Sequence, residues 1–214
     1  MIYSPMSQAA GSTGQRIERD EALLLLTGDD LLALGGRADT IRRSLHPENR
    51  VTFVIDRNVN YTNICETKCS FCAFYRDKTA ADAYVLTQDA IFDKIDELVR
   101  QGGTQLLMQG GLNPELGIDF FEELFGKIKA RFPGVQNHSL SPAEVVCIAK
   151  HSGLGVDETI SRLKNAGLDS IPGGGAEILV DRCAAASPPK RSGGASGLTS
   201  CSRLLPWTCR LPRP

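Results

Sequence analysis

The chain offers little that would direct it toward a membrane or an acidic polymer. No stretch approaches the about 20 consecutive apolar residues that a membrane-crossing helix needs. The early run at 22–26 is short and flanked by Asp20, Glu21, Asp29 and Asp30. The opening Met-Ile-Tyr-Ser-Pro-Met has no secretory pattern. A formal net charge of −1 gives no electrostatic reason to expect nucleic acid or an anionic membrane as partner. Seven cysteines in such a chain therefore predict a reducing, cytoplasmic setting and not a disulfide framework. The last absence is local: residues 183–214 contain no Asp and no Glu.

What is present is ordinary in bulk. At 214 residues, with 42% hydrophobic and 23% charged residues, the chain can bury one real core and is expected to make one domain. The informative feature is a spacing. Cys65, Cys69 and Cys72 form C-x3-C-x2-C within Asn-Ile-Cys-Glu-Thr-Lys-Cys-Ser-Phe-Cys-Ala-Phe-Tyr, with Phe71 just before the last cysteine. Three thiolates on one loop can hold three irons of a [4Fe–4S] cluster and leave the fourth open, whereas electron-transfer clusters generally have four cysteines. Structural zinc is the alternative, but it wants a closed set of four ligands. The available fourth ligands, Cys147 and His138, are remote in sequence.

The cysteine pattern and its aromatic residue resemble the signature of the radical S-adenosylmethionine (SAM) family. The resemblance implies a [4Fe–4S] cluster on Cys65, Cys69 and Cys72, with Phe71 beside the cofactor site. The amine and carboxylate of SAM would chelate the open iron, and an electron from the cluster would release methionine and a 5′-deoxyadenosyl radical.

Periodicity supplies the frame. Two helices are predicted within 17–45, broken near Thr27-Gly28, with Asp29 or Asp30 as N-cap and His46-Pro47 as the stop of the second. Residues 51–56 read as a strand, and 58–63 as an extended entry to the cysteine loop. Then a rhythm follows: helix 88–100, strand 104–109, helix 118–131, strand 135–139, helices 142–151 and 157–166 capped by Gly167, and a short strand at 169–172. Such alternation predicts an α/β fold with a parallel sheet. With about four βα units where a full barrel takes about 250 residues, the expectation is a partial (β/α) barrel whose C-terminal part is missing. The expected division is a flexible 1–16, an N-terminal helical extension at 17–50, the barrel at 51–182, and an aberrant basic tail at 183–214.

In parallel α/β folds ligands bind beyond the carboxyl ends of the strands. Four motifs fall there: the cysteine loop, Gly110-Gly111, Asn137-His138-Ser139, and Gly173-Gly174-Gly175 with Glu177. A glycine pair after a strand is a tight turn or a place where backbone meets ligand. The resemblance assigns Gly110 and Gly111 to the methionyl amine of SAM, although Leu112 and Asn113 replace the commoner Glu that follows. Glu177 could accept from a ribose diol. His138 is a candidate for the general base, and a hydrogen-bonded structural histidine is the simpler reading. Cys147, among Val146, Ile148 and Ala149, reads as a small buried hydrophobe.

A wider set of motifs, Asn60-Tyr-Thr-Asn-Ile, Gln109-Gly-Gly-Leu-Asn-Pro, His138-Ser-Leu-Ser-Pro and Asp169-Ser-Ile-Pro-Gly-Gly-Gly-Ala-Glu, resembles the cyclic dehypoxanthinyl futalosine synthases of menaquinone biosynthesis. That implies dehypoxanthine futalosine as substrate. Hydrogen abstraction from C4′ of its ribose would be followed by ring closure onto its benzoate, with a flavodoxin or ferredoxin as electron donor. Aminofutalosine synthases and deazaflavin-precursor synthases share much of the pattern. A passive iron–sulfur or zinc module, or an inactive truncated product, are the non-enzymatic alternatives.

From Cys183 onward the composition breaks. These residues hold three of the seven cysteines, five prolines and the only tryptophan, with Lys190, Arg191, Arg203, Arg210 and Arg213 as their charges. A basic tail that contacts a partner is one explanation. The abrupt loss of periodicity favours another: a reading frame lost near Arg182. Cys183, Cys201 and Cys209 are poor ligand candidates on that expectation.

Overall fold

A computed structural model describes residues 16–48, 50–69 and 72–173. Phe71, Gly174, Gly175, Glu177 and the tail from Cys183 lie outside the described residues. The chain divides into two units, Met1–Phe53 and Val54–Pro214.

The first unit contributes α1 (Arg19–Thr27) and α2 (Leu31–Leu45). Asp30 caps α2 by accepting from the Ala33 N–H at 2.9 Å, as the sequence suggests. Neither helix has a buried residue.

The second unit is built on three strands, β1 (Asp56–Asn60), β2 (Gln105–Gln109) and β3 (Gln136–Ser139), all parallel in the order β1-β2-β3. Between and after them run α3 (Gln88–Arg100), α4 (Ile118–Arg131), α5 (Pro142–Ser152) and α6 (Val156–Ala166). The core joins Val59, Leu106 and Met108 of the sheet to Ile91 and Ile95 of α3 and Phe121, Leu124 and Phe125 of α4. Strand alternation puts the other set on the opposite face. There the register aligns Asn58, Leu107 and His138, with Asn60 beside Gln109, and all of these are exposed or half-buried.

Local chemistry explains the helices. Ile91, Phe92, Ile95 and Leu98 bury one face of α3, and Thr87 caps it by accepting from the Ala90 N–H at 3.2 Å. The first N–H of α4, at Ile118, finds its acceptor in Ser152 Oγ at the end of α5, 2.9 Å away. Gly167 ends α6 in the left-handed region, φ 116°.

Two strand expectations need correction. Residues 51–55 are not a strand, because the ladder begins at Asp56, opposite Gln105, and Val51, Phe53, Val54 and Ile55 are exposed. β-rich composition does not make a strand without a partner. The stretch 169–172 contributes one parallel bridge, His138 to Ser170, in place of a full strand. The described residues thus supply three strands and the start of a fourth.

Candidate functional site

The cysteine loop leaves β1 through Tyr61 and is tied down on both sides. Thr62 bridges Val85, and Ile64 bridges Arg76. The Cys65 N–H donates to the Arg76 carbonyl at 3.2 Å, and the Arg76 N–H donates to the Asn63 carbonyl at 2.8 Å. The Arg76 guanidinium donates to Asp82 Oδ2 at 2.6 Å and to the carbonyls of Ala73 and Tyr75, 3.1 and 2.9 Å away, so the loop closes around one cation. That cation holds the Asp82 carboxyl below its usual range. Within the loop Lys68 takes φ 50°, and the Cys72 N–H donates to the Cys69 carbonyl at 3.0 Å. Cys65, Cys69 and Cys72 are free thiols, each partly exposed.

The glycine pair meets this loop directly. A Cβ on Gly111 would overlap the Ile64 carbonyl and stand 2.9 Å from Cys65 Cβ. A Cβ on Gly110 would lie 2.7 Å from the Tyr61 ring. Only glycine allows this approach. Both N–H groups are used inside the protein: Gly111 donates to the Thr62 carbonyl at 2.9 Å, Gly110 to Glu144 Oε1 at 2.9 Å.

Glu144 is the hidden member of the site. The backbone turns at Leu140, buried at φ 65°, and Ser141 then caps α5 by accepting from the Glu144 N–H at 3.3 Å. The Glu144 side chain is buried and its Oε1 also accepts from the Tyr61 hydroxyl at 2.8 Å. Burial pushes its pKa up to about 7, against the opposing pull of its hydrogen bonds from Ser141, Tyr61 and Gly110. Tyr61 itself is buried edge-on against Phe121, ring centroids 5.5 Å apart, and burial pushes its hydroxyl well above the usual range. Asn113, also buried, leaves Nδ2 without a partner among the described residues, and lines a cavity with Tyr61, Gly111, Glu144 and Cys147.

His138 lies within β3, with Nδ1 2.6 Å from Ser170 Oγ, and partial burial lowers its pKa. Cys147 is buried as expected, and burial followed by the Glu66 carboxylate pushes its thiol up to about 11. The structure thus brings Cys65, Gly110 and Gly111 together. Phe71 and Glu177 lie outside the described residues. Sequence reasoning missed Tyr61, Arg76 and Glu144. For Glu144 a signal existed, since Ser141-Pro-Ala-Glu144 has the capping-box spacing.

The three free cysteines on one loop, with the glycine backbone packed against Cys65, fit a thiolate-held cluster. Comparison with known proteins agrees. The profile of the radical SAM superfamily, whose members use a [4Fe–4S] cluster and S-adenosylmethionine, matches residues 59–178. The chain is 49% identical over 168 residues to a cyclic dehypoxanthine futalosine synthase of Halalkalibacterium halodurans, covering 78% of this chain and 45% of that one. It is 44% identical over 171 residues to a 5-amino-6-(D-ribitylamino)uracil–L-tyrosine 4-hydroxyphenyl transferase of Synechocystis, covering 76% and 43%. The chain therefore spans less than half the length of these curated relatives. In fold it is similar to the crystal structure of HydG, a maturase of the [FeFe]-hydrogenase, with a TM-score of 0.64 at 19% identity, over 87% of this chain and 40% of that one. No helix among the described residues is long and apolar enough to cross a membrane. With its parallel sheet, its cysteine loop and the profile that spans both, the chain belongs to the radical SAM superfamily, as a partial barrel of that fold.

Proposed function

We propose that Cys65, Cys69 and Cys72 hold the cluster and that Gly110 and Gly111 receive the methionyl amine of SAM. Together these two cofactors supply, when bound, a radical able to take hydrogen from an unactivated C–H bond. The observation that carries this reading is the meeting of the two loops, with no room for a Cβ at Gly111. Both glycine N–H groups are spent internally, and the Gly111 carbonyl already accepts from the Asn113 N–H at 2.9 Å, so what this backbone still offers a ligand is carbonyl lone pairs. Carbonyls accept from an ammonium and repel a carboxylate or phosphate, which favours the amine end of SAM.

The reaction we propose is cyclisation of dehypoxanthine futalosine, the ribose carbon joining the benzoate of the same molecule. The 49% identity to a protein of that name supports it. The open face of the sheet, with Asn58, Asn60, Gln109 and His138, is polar enough to orient a nucleoside-derived substrate. Holding both reacting carbons in one folded substrate raises their effective concentration. His138, whose partial burial lowers its pKa, is the candidate acceptor for the ring proton. The second reading, transfer of a 4-hydroxyphenyl group from tyrosine to a ribityl-uracil, is favoured by the 44% identity to such a transferase.

The test is anaerobic reconstitution, reduction, and incubation with SAM and each substrate in turn. The first reading expects free 5′-deoxyadenosine in equal amount to a product two hydrogens lighter than the futalosine substrate. A hydroxyphenyl adduct of the uracil selects the second reading instead. Methionine release with neither substrate consumed overturns both.

A further inference from the structure

One cluster of ligating side chains is not absorbed by the proposed chemistry. Cys147 and His151 stand one helical turn apart on α5, so their side chains share a face. Opposite them is Glu66, from the cysteine loop, whose N–H is fixed to the Leu112 carbonyl at 3.0 Å. Glu66 Oε1 lies 3.9 Å from Cys147 Sγ and 3.5 Å from His151 Nε2. All three ligand atoms fall within 4.8 Å of one another.

We propose that Glu66, Cys147 and His151 form a site for a zinc-class divalent cation, with water as fourth ligand, which anchors the cysteine loop to α5. The site rests on this geometry alone and stands whether or not the reaction above is correct.

Four arguments support it. Ligands bound to tetrahedral zinc at ordinary bond lengths are about 3.3 to 3.6 Å apart, so closure here needs only side-chain adjustment. One thiolate and one carboxylate balance a doubly charged ion, while the imidazole stays neutral. Sulfur and nitrogen select a borderline-soft metal over magnesium or calcium, which want oxygen. Cys147 is buried, whereas the Glu66 and His151 side chains are 38% and 25% exposed, which leaves a way in and a position for water. Binding forms a metal–sulfur bond and releases the thiol proton to solvent. The cation also replaces Lys150, whose Nζ now sits 4.0 Å from Glu66 Oε1 as its counter-charge.

Cobalt(II) is the probe, because thiolate ligation gives it a near-ultraviolet charge-transfer band that oxygen and nitrogen ligands do not. The full chain carrying Ser in place of Cys65, Cys69, Cys72, Cys183, Cys201 and Cys209 leaves Cys147 as its one thiol. Expected is one equivalent of cobalt with that band, displaced by one equivalent of zinc. Adding Cys147→Ser abolishes the band. Since even residues that merely support a metal site cost that much, adding His151→Ala or Glu66→Gln weakens binding about tenfold or more. Both of those side chains are partly exposed, so their variants keep the fold, which circular dichroism checks. Zinc also raises the melting temperature of the background chain and not of its His151→Ala derivative. Absence of the band overturns the proposal, as does a band that persists with Cys147→Ser or an affinity indifferent to His151→Ala.

Discussion

The two units spend their leucines in opposite ways. In α1 and α2, Leu23, Leu24, Leu26, Leu31 and Leu32 are all largely exposed, and neither helix has a buried residue. In the βα unit, Leu98, Leu106, Leu124 and Leu163 are almost wholly excluded from water. Both regions have apolar residues at helical spacing. Among the described residues, only the second also has a parallel sheet to receive them. Periodicity thus says which face of a helix is apolar, and a partner decides whether that face becomes a core.

Substitutions can break or sharpen this contrast. The largest effect is expected at Phe121, packed edge-on against Tyr61 and fully buried. Phe121→Ala should cost about 3 to 5 kcal/mol in denaturant unfolding, through lost burial and the cavity left behind. Next is Glu144. Its folded-state pKa is raised from the ordinary 4.5 to about 7, so the folded chain holds this proton more tightly than the unfolded one. Its ionisation therefore costs nothing below the unfolded value and costs progressively more as pH rises, up to about 3 kcal/mol above pH 7. Glu144→Gln does not titrate. Measured without iron, the stability of the wild type relative to this variant should fall between about pH 4.5 and 7. A pH-independent difference would remove Glu144 as the titrating group.

Gly111→Ala comes third. It forces the Ile64 carbonyl and Cys65 apart, at about 1 to 3 kcal/mol as for other overpacked sites, and reconstituted iron should fall with it. Iron content equal to wild type would mean that the two loops need not touch. Smallest is Leu24→Ala, on a side chain 70% exposed, expected within about 0.5 kcal/mol. A loss of 2 kcal/mol or more there would contradict the exposure of α1.

The sequence makes the helices of the βα unit readable because their apolar faces repeat at the helical period, and caps such as Thr87 and Gly167 bound them. The strands are less so. β1 is Asp-Arg-Asn-Val-Asn and β3 is Gln-Asn-His-Ser, neither of them apolar, and both exist because β2 between them supplies the ladder. The greasier 51–55 forms no ladder among the described residues, and of it only the Ile55 carbonyl is bonded, accepting from the Thr104 N–H at 3.1 Å. Of the site, the cysteine loop and the glycine pair are local motifs and stand out in a single sequence. The bond from Tyr61 to Glu144 spans 83 positions, and no local pattern announces it. The same is true of Glu66 and Cys147, where helical position alone suggested a plain hydrophobe.

The central claim is that Cys65, Cys69 and Cys72 hold a cubane with one iron open to SAM. Electron paramagnetic resonance of the reduced, reconstituted chain, recorded with and without SAM, tests it most directly. The expected result is a [4Fe–4S] signal that changes when SAM is added and disappears with serine at any of the three positions. A signal indifferent to SAM, or one that survives those substitutions, would contradict it.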